Sequence, residues 1–121
     1  MAQYQHLPIY KVTYELLLQI TRITKEFPRD YKHSLAAKLR EEAVDLVVFI
    51  YKANSIRADR ARNVCAILER LQVIELLVRL CKDLRLMSIK QFSETVALTD
   101  SLGRQAQGWL KSANTALSAE R

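Results

Sequence analysis

The chain has 121 residues but only two glycines and two prolines, which argues against a turn-rich β architecture and favours long helices in one domain, residues 1–121. Its net charge of +6 favours a polyanionic partner, either nucleic acid or an anionic lipid surface. The alternative is positive charge that serves only solubility. No signal peptide and no membrane-spanning run are recognisable, so a cytoplasmic location is expected.

Apolar residues that recur every three or four positions predict four helices. The first covers about residues 8–26, with Pro8 in its first turn, and ends before Pro28. The second covers about 32–53, with Ser34 as its candidate N-cap, and the third about 58–86. Ser88 and Gln91 fit a capping box that starts the fourth, at about 89–113. The short links between them predict an antiparallel up-down-up-down four-helix bundle.

The second and third helices carry more apolar surface than one bundle buries. Each has a second apolar stripe beside the one that faces the core, whereas a surface helix needs a single stripe of roughly 100°. This excess predicts that copies of the chain cover one another in a homo-oligomer. The expected oligomer interface consists of Val44, Val48, Tyr51, Val73, Leu76 and Leu80.

No motif for catalysis, metal binding or cofactor binding is present in the sequence. His6 and His33 are far apart and have no cysteine or carboxylate at ligand spacing. The chain has no glycine-rich phosphate loop, and no candidate nucleophile has a base beside it. We therefore expect a protein that is not an enzyme, with no catalytic residues, no metal and no cofactor. Cys65 and Cys81 are predicted to be buried small hydrophobes in a reducing compartment.

Two sets of charged residues fall inside the predicted helices. Glu41, Glu42 and Asp45 are expected to be solvated and to pair with Lys38 and Lys52. Arg40 and Arg70 differ from these, because each falls within the apolar arc of its helix. One interpretation is that the stems lie along apolar surface while the heads meet a neighbouring acid. The other is an ion pair between chains, or an inward-facing basic ring, in an oligomer.

Basic residues concentrate around the first and third loops, which lie at the same end of an up-down bundle. We expect this end to contact the phosphate backbone of nucleic acid, with little base-specific binding, because no aromatic run is interleaved with basic residues. The alternative is a set of solvated charges that complement helix C-termini. The expected nucleic-acid-binding residues are Arg22, Lys25, Arg29, Lys32, Arg79, Lys82, Arg85 and Lys90.

Three stretches carry a family resemblance, namely KEFPRDYKHSLAAKLREEAVDLVVFIYKANS, LLVRLCKDLRLMSIKQF and LGRQAQGWLK. Together they resemble the accessory variability determinant (Avd) proteins of diversity-generating retroelements. These belong to a wider four-helix-bundle group that includes proteins encoded in 23S ribosomal RNA intervening sequences. The resemblance covers residues 7 to about 112. Members of the family typically carry a Gly-Arg-x-x-Gly-Gly-Trp-like stretch. This chain matches it at Gly103, Arg104, Gly108 and Trp109, but Gln107 replaces the first glycine of the pair.

The resemblance implies a non-enzymatic partner of the retroelement reverse transcriptase. It implies a homopentameric ring of four-helix bundles that binds nucleic acid and supports mutagenic retrohoming, in which a template repeat is copied through RNA into cDNA. Two alternatives remain. One is an intervening-sequence-type protein without a reverse-transcriptase partner, and the other is an oligomeric scaffold that binds protein only. No membrane and no small-molecule substrate is expected as a partner.

Overall fold

The computed structural model describes residues 4–119, and within that range every regular element is helical. The four long helices are α1 (Pro8–Lys25), α2 (Ala37–Ser55), α3 (Arg60–Asp83) and α4 (Ile89–Ala119). Short helical segments at Tyr4–His6, Arg29–Tyr31, Lys32–Ala36 and Arg57–Asp59 precede or link them. α1 packs on α2 and α4, and α3 also packs on α2 and α4. The all-α prediction is confirmed, and the helices form a bundle.

The core is built from the apolar stripes that the helical period predicts. Each large aliphatic side chain removed from water contributes about 1.5–3 kcal/mol to the free energy of unfolding, so the core residues dominate the stability of the bundle. The largest fully buried apolar side chains are Leu16, Leu39, Leu46, Ile50, Ile67, Ile74 and Leu102.

Four threonines are also buried, on α1 and α4. The Thr13 hydroxyl donates to the Ile9 carbonyl of its own helix at 2.7 Å. Near the end of the same helix, the Thr24 hydroxyl donates to the Ile20 carbonyl, also at 2.7 Å. On α4, Thr95 and Thr99 likewise donate to carbonyls of α4. A buried hydroxyl needs a partner, and here each hydroxyl finds one in the preceding turn of its own helix.

The α1–α2 connection differs from the prediction. The second helix was expected to start near residue 32, but a π-helical turn occupies Lys32–Ala36 and regular α-helix begins at Ala37. Ser34, the candidate N-cap, lies inside this turn, and its hydroxyl donates to the Asp30 carbonyl at 3.4 Å. Pro28 starts a separate helical segment at Arg29, so the chain re-enters helix before residue 32 and needs no cap there.

The fourth helix is longer than predicted, because it continues to Ala119 instead of ending near residue 113. Ala113 is buried, and Ala116 and Leu117 line a groove together with Ala58 of the Arg57–Asp59 segment and Ala61 of α3. Tertiary packing of this kind stabilises helix ends that intrinsic propensity alone would leave frayed.

The third helix ends at Asp83 in a Schellman motif. The Leu86 N–H donates to the Cys81 carbonyl at 2.8 Å, and the Arg85 N–H donates to the Lys82 carbonyl at 3.0 Å. Both bonds satisfy carbonyls that would otherwise lack partners at the helix end. The motif requires left-handed backbone at the residue after the C-cap, and Arg85 has φ 61°.

The capping box predicted at the start of α4 is confirmed. The Gln91 N–H donates to Ser88 Oγ at 3.0 Å, and the Ser88 N–H donates to Gln91 Oε1 at 2.9 Å. These reciprocal bonds satisfy two of the free N–H groups at the helix start. Together with the Schellman motif, they fix a tight corner of five residues between α3 and α4.

The two cysteines lie in different environments. Cys81 is buried, and burial raises the pKa of its thiol to about 11. Cys65 is exposed on α3, so the prediction that both are buried is wrong for Cys65. The reason is that residue 65 follows the buried Val64 on the helix and points away from the core stripe.

We expect a thiol reagent at pH 8 to modify one cysteine per native chain rapidly. The reacting residue should be Cys65, since Cys81 is shielded and its thiolate fraction is far smaller. Mass spectrometry of peptides after brief alkylation measures this directly. In a Cys65→Ala control, rapid labelling should disappear and return only in denaturant. Rapid labelling of Cys81 in the folded control would contradict its buried position.

Candidate nucleic-acid interface

The basic side chains divide into a group held by internal hydrogen bonds or ion pairs and a group without such bonds. Arg60 belongs to the first group, because its Nε donates to the Ala53 carbonyl at 2.7 Å and its Nη2 to the Asn54 carbonyl at 3.1 Å. These bonds cap the C-terminal end of α2. Arg40 Nη1 donates to Thr24 Oγ1 at 3.2 Å, so its partner is a hydroxyl of α1 instead of the acid that was expected.

Glu42 is the centre of an ion-pair cluster between α2 and α3. Its side chain is only 2% exposed. Lys38 Nζ lies 3.0 Å from its Oε1, and Arg70 Nη1 lies 3.4 Å from both Oε1 and Oε2. The predicted pairing with Lys38 is confirmed, but the prediction of a solvated carboxylate is wrong for Glu42, which faces the neighbouring helix. Arg70 finds its acid within the same chain. The hydrogen bond and the charge of Glu42 raise the pKa of Lys38.

The eight predicted nucleic-acid-binding residues belong to the second group. Their side chains make no hydrogen bond and no ion pair with any residue in 4–119. Seven are exposed. Lys82 is half-buried, with its Nζ 4.8 Å from the centre of the Phe92 ring, a cation–π contact that leaves the ammonium charge uncompensated. These side chains are Arg22, Lys25, Arg29, Lys32, Arg79, Lys82, Arg85 and Lys90.

Their positions follow the ends of the helices. Arg22 and Lys25 lie in the last turn of α1, and Lys90 lies in the first turn of α4. Residues 79–90 around the α3–α4 corner contain four cations and one carboxylate, Asp83. An unpaired cation has no internal partner to give up, so it can exchange water and counterions for a phosphate at little cost. The arrangement suits electrostatic binding of a polyanion.

The apolar stripes on α2 and α3 lie on the outside of the bundle. Leu76 is the most exposed of them, at 67%, and Val44, Val48, Tyr51 and Leu80 are also exposed, while Val73 is half-buried. Leu84, at 42%, and Ile89, at 77%, extend the exposed apolar surface of α3 to the corner. Exposed apolar surface of this kind is typical of interaction surfaces.

A cluster of four tyrosines was not predicted. The Tyr4 ring centre lies 5.3 Å from that of Tyr10 and 5.2 Å from that of Tyr51, and Tyr10 stacks on Tyr14 at 6.1 Å. The cluster connects the α2 stripe to the outer face of α1. No local pattern could reveal it, because Tyr51 is distant in sequence from the other three and meets them only through the packing of α1 on α2.

Residues 4–119 lack two further features. In that range, no three side chains among His, Cys, Asp and Glu come together in a way that would hold a metal ion. No helix there combines the length and the apolar character needed to cross a membrane.

A comparison with protein families gives the class of the chain. The bAvd-like family matches residues 7–113. This match covers most of the chain, so the protein belongs to the bAvd-like family, and the resemblance to Avd proteins is confirmed. The family is one of accessory proteins. No curated protein matches the chain.

Proposed function

We propose that this protein is a non-enzymatic accessory protein of a diversity-generating retroelement. It binds the reverse transcriptase and the template RNA or its cDNA in the cytoplasm, and it supports mutagenic retrohoming. Membership of the bAvd-like family supports the retroelement role. The observation that carries the nucleic-acid part is the set of eight cations around two loops that make no hydrogen bond or ion pair with residues 4–119. No membrane and no small-molecule substrate takes part.

The proposal includes the antiparallel up-down-up-down order, which joins the two basic loops. Two contacts support this order. Arg40, near the start of α2, reaches Thr24, near the end of α1, and Tyr51, near the end of α2, reaches Tyr4 before α1. α1 also packs on α4. With α1 and α4 antiparallel, the end of α1 lies beside the start of α4, and the eight cations form one basic end.

Binding at this basic end is electrostatic and mainly to phosphate. Each phosphate neutralised on a single strand adds about −0.7 to the slope of log K against log salt concentration. Several contacts therefore give a steep salt dependence. Base-specific contacts are not part of the proposal, because the eight residues include no aromatic side chain.

Removing charge from the basic end should weaken RNA binding far more than removing the same charge elsewhere. Both variants below lower the net charge from +6 to +2 at exposed positions. The basic-end variant carries glutamine at Arg22, Lys25, Arg79 and Lys90. The control variant carries glutamine at Lys11, Arg62, Arg104 and Lys111.

We expect the basic-end variant to bind a fluorescent single-stranded RNA about 100-fold more weakly at 0.1 M salt, with a salt slope smaller by about 3. The control should lose no more than about fivefold, through the change in net charge. Fluorescence anisotropy across a salt series gives both quantities. Equal losses in the two variants would show that net charge alone binds RNA. If wild-type protein does not retain RNA at low salt, the protein-only scaffold becomes the better account.

The reverse-transcriptase partner separates the proposal from the intervening-sequence alternative. A reverse-transcriptase gene and a template repeat beside this gene would support the retroelement role. Co-expression with that enzyme, followed by affinity capture after nuclease treatment, tests direct binding. Failure of the enzyme to co-purify, with and without its RNA, would favour the intervening-sequence-type function.

The proposal also includes a ring-shaped homo-oligomer, with five copies as the expected number. The exposed apolar stripes on α2 and α3 support an interface between copies, because a monomer would leave this surface in water. The proposed interface residues are Val44, Val48, Tyr51, Val73, Leu76 and Leu80.

A further inference from the structure

Arg85 is the one residue other than glycine with positive φ among residues 4–119. It occupies the position of the Schellman motif where glycine is usual, because left-handed backbone brings a Cβ close to the following carbonyl. The surrounding hydrogen bonds impose this conformation, since both Arg85 and Leu86 donate their N–H groups to α3. An arginine here is less stable than a glycine would be.

Nothing inside the described part of the chain offsets this strain. The Arg85 side chain is exposed and makes no hydrogen bond, ion pair or ring contact with residues 4–119. Arg60 is a useful contrast, because its guanidinium caps α2 with two hydrogen bonds. A strained position filled by an unpaired cation indicates that the benefit of the side chain lies outside the chain.

We infer that Arg85 fixes the position of a nucleic-acid phosphate at the α3–α4 corner, as the specific contact of the basic end. The inference rests on the proposed nucleic-acid binding and adds which residue sets its geometry. The Schellman bonds on one side and the capping box on the other hold the backbone of the corner rigid. A guanidinium on a fixed backbone can grip one phosphate with two parallel N–H bonds.

The neighbouring cations play a different part. Lys82 is held against the Phe92 ring, and Lys90 lies in the first turn of α4. Ammonium groups attract phosphate as point charges without bidentate geometry. They therefore raise the local concentration of RNA at the corner, while Arg85 determines where the RNA phosphate backbone binds.

The test compares stability and RNA binding in three single variants. Arg85→Gly should raise the melting temperature by about 4 °C, because it removes the left-handed strain. The same variant should bind a fluorescent single-stranded RNA about tenfold more weakly at 0.1 M salt. Arg85→Lys keeps the charge but should still lose about fivefold, because it cannot form the bidentate contact. Arg79→Ala removes an exposed charge one turn and a half earlier and should lose only about twofold.

Each other result overturns the inference in a distinguishable way. If wild type binds RNA and Arg85→Gly binds equally well, the inference fails while the proposed function stands. If wild type itself does not bind RNA, both fail. A lower melting temperature for Arg85→Gly would show that the arginine is structurally favoured. The exposed Leu84 and Ile89 suggest one further outcome. Unchanged RNA binding with loss of reverse-transcriptase capture would make Arg85 a protein contact.

Discussion

Replacing Lys38 and Arg70 together by methionine should lower the free energy of unfolding by about 3 kcal/mol. The loss comes from Glu42, which remains buried as a carboxylate without a cationic partner. Methionine keeps most of the apolar stem of each side chain, so packing changes little. Urea unfolding followed by circular dichroism at neutral pH measures the difference.

The three side chains of the ion-pair cluster differ in burial, so replacing the acid and replacing the cations should change the free energy of unfolding by different amounts. The Lys38 and Arg70 side chains are 50% and 40% exposed, whereas Glu42 is 2% exposed. Glu42→Leu should therefore cost only about 1 kcal/mol, since the freed cations still reach water. Adding Glu42→Leu to the double variant should restore most of the lost stability, because an apolar cluster replaces the stranded carboxylate. A double variant as stable as wild type would mean that water reaches Glu42.

Replacing Val44 and Leu76 by glutamate should convert the proposed ring to single chains. Both residues are exposed on the outer stripes of α2 and α3, and a charge buried at an interface without a partner is strongly unfavourable. Light scattering at moderate salt should give about 70 kDa for wild type, five times the 14.0 kDa chain, and about 14 kDa for the variant. Leu76 is a sharper probe than the half-buried Val73, whose replacement would also disturb the fold.

Ile56→Glu provides the matched control, because Ile56 is apolar and 45% exposed but lies in the link between α2 and α3. It should leave the mass unchanged. Circular dichroism should show native helix content in all variants, as expected for surface substitutions. An unchanged mass for the double variant would place the interface on another face. A wild-type monomer would remove the ring from the proposed function.

The sequence was sufficient for the helices, their core faces and the capping box, because these depend on residues close together in the chain. Helical period alone predicts which side of α2 holds Leu39, Leu46 and Ile50. The helical period does not show which residues of a neighbouring helix contact α2. Glu42 is adjacent to polar positions on a helical projection, and one of its two cationic partners, Arg70, stands on the neighbouring helix.

The α3–α4 corner shows a second reason for failure. The prediction extended α3 to about residue 86 because the expected stop signal, a glycine after the last turn, is missing. Arg85 adopts the left-handed conformation that glycine would normally supply. The sequence shows which cations lie near the loops. Whether they lack partners requires the tertiary contacts.

The hydrogen bonds of α4 have a mechanical consequence. The α4 side-chain bonds described above all stay within that helix or its own cap. On the opposite side of the bundle, the ion pair between Arg70 and Glu42 joins α3 to α2. α4 is held by apolar packing and by the cation–π contact between Lys82 of α3 and Phe92 of α4, which resist separation more than sliding. Among residues 4–119, α2 and α3 are thus joined by an ion pair, whereas α4 makes no side-chain hydrogen bond or ion pair to a neighbouring helix. The corner that contains Arg85 lies at the start of α4.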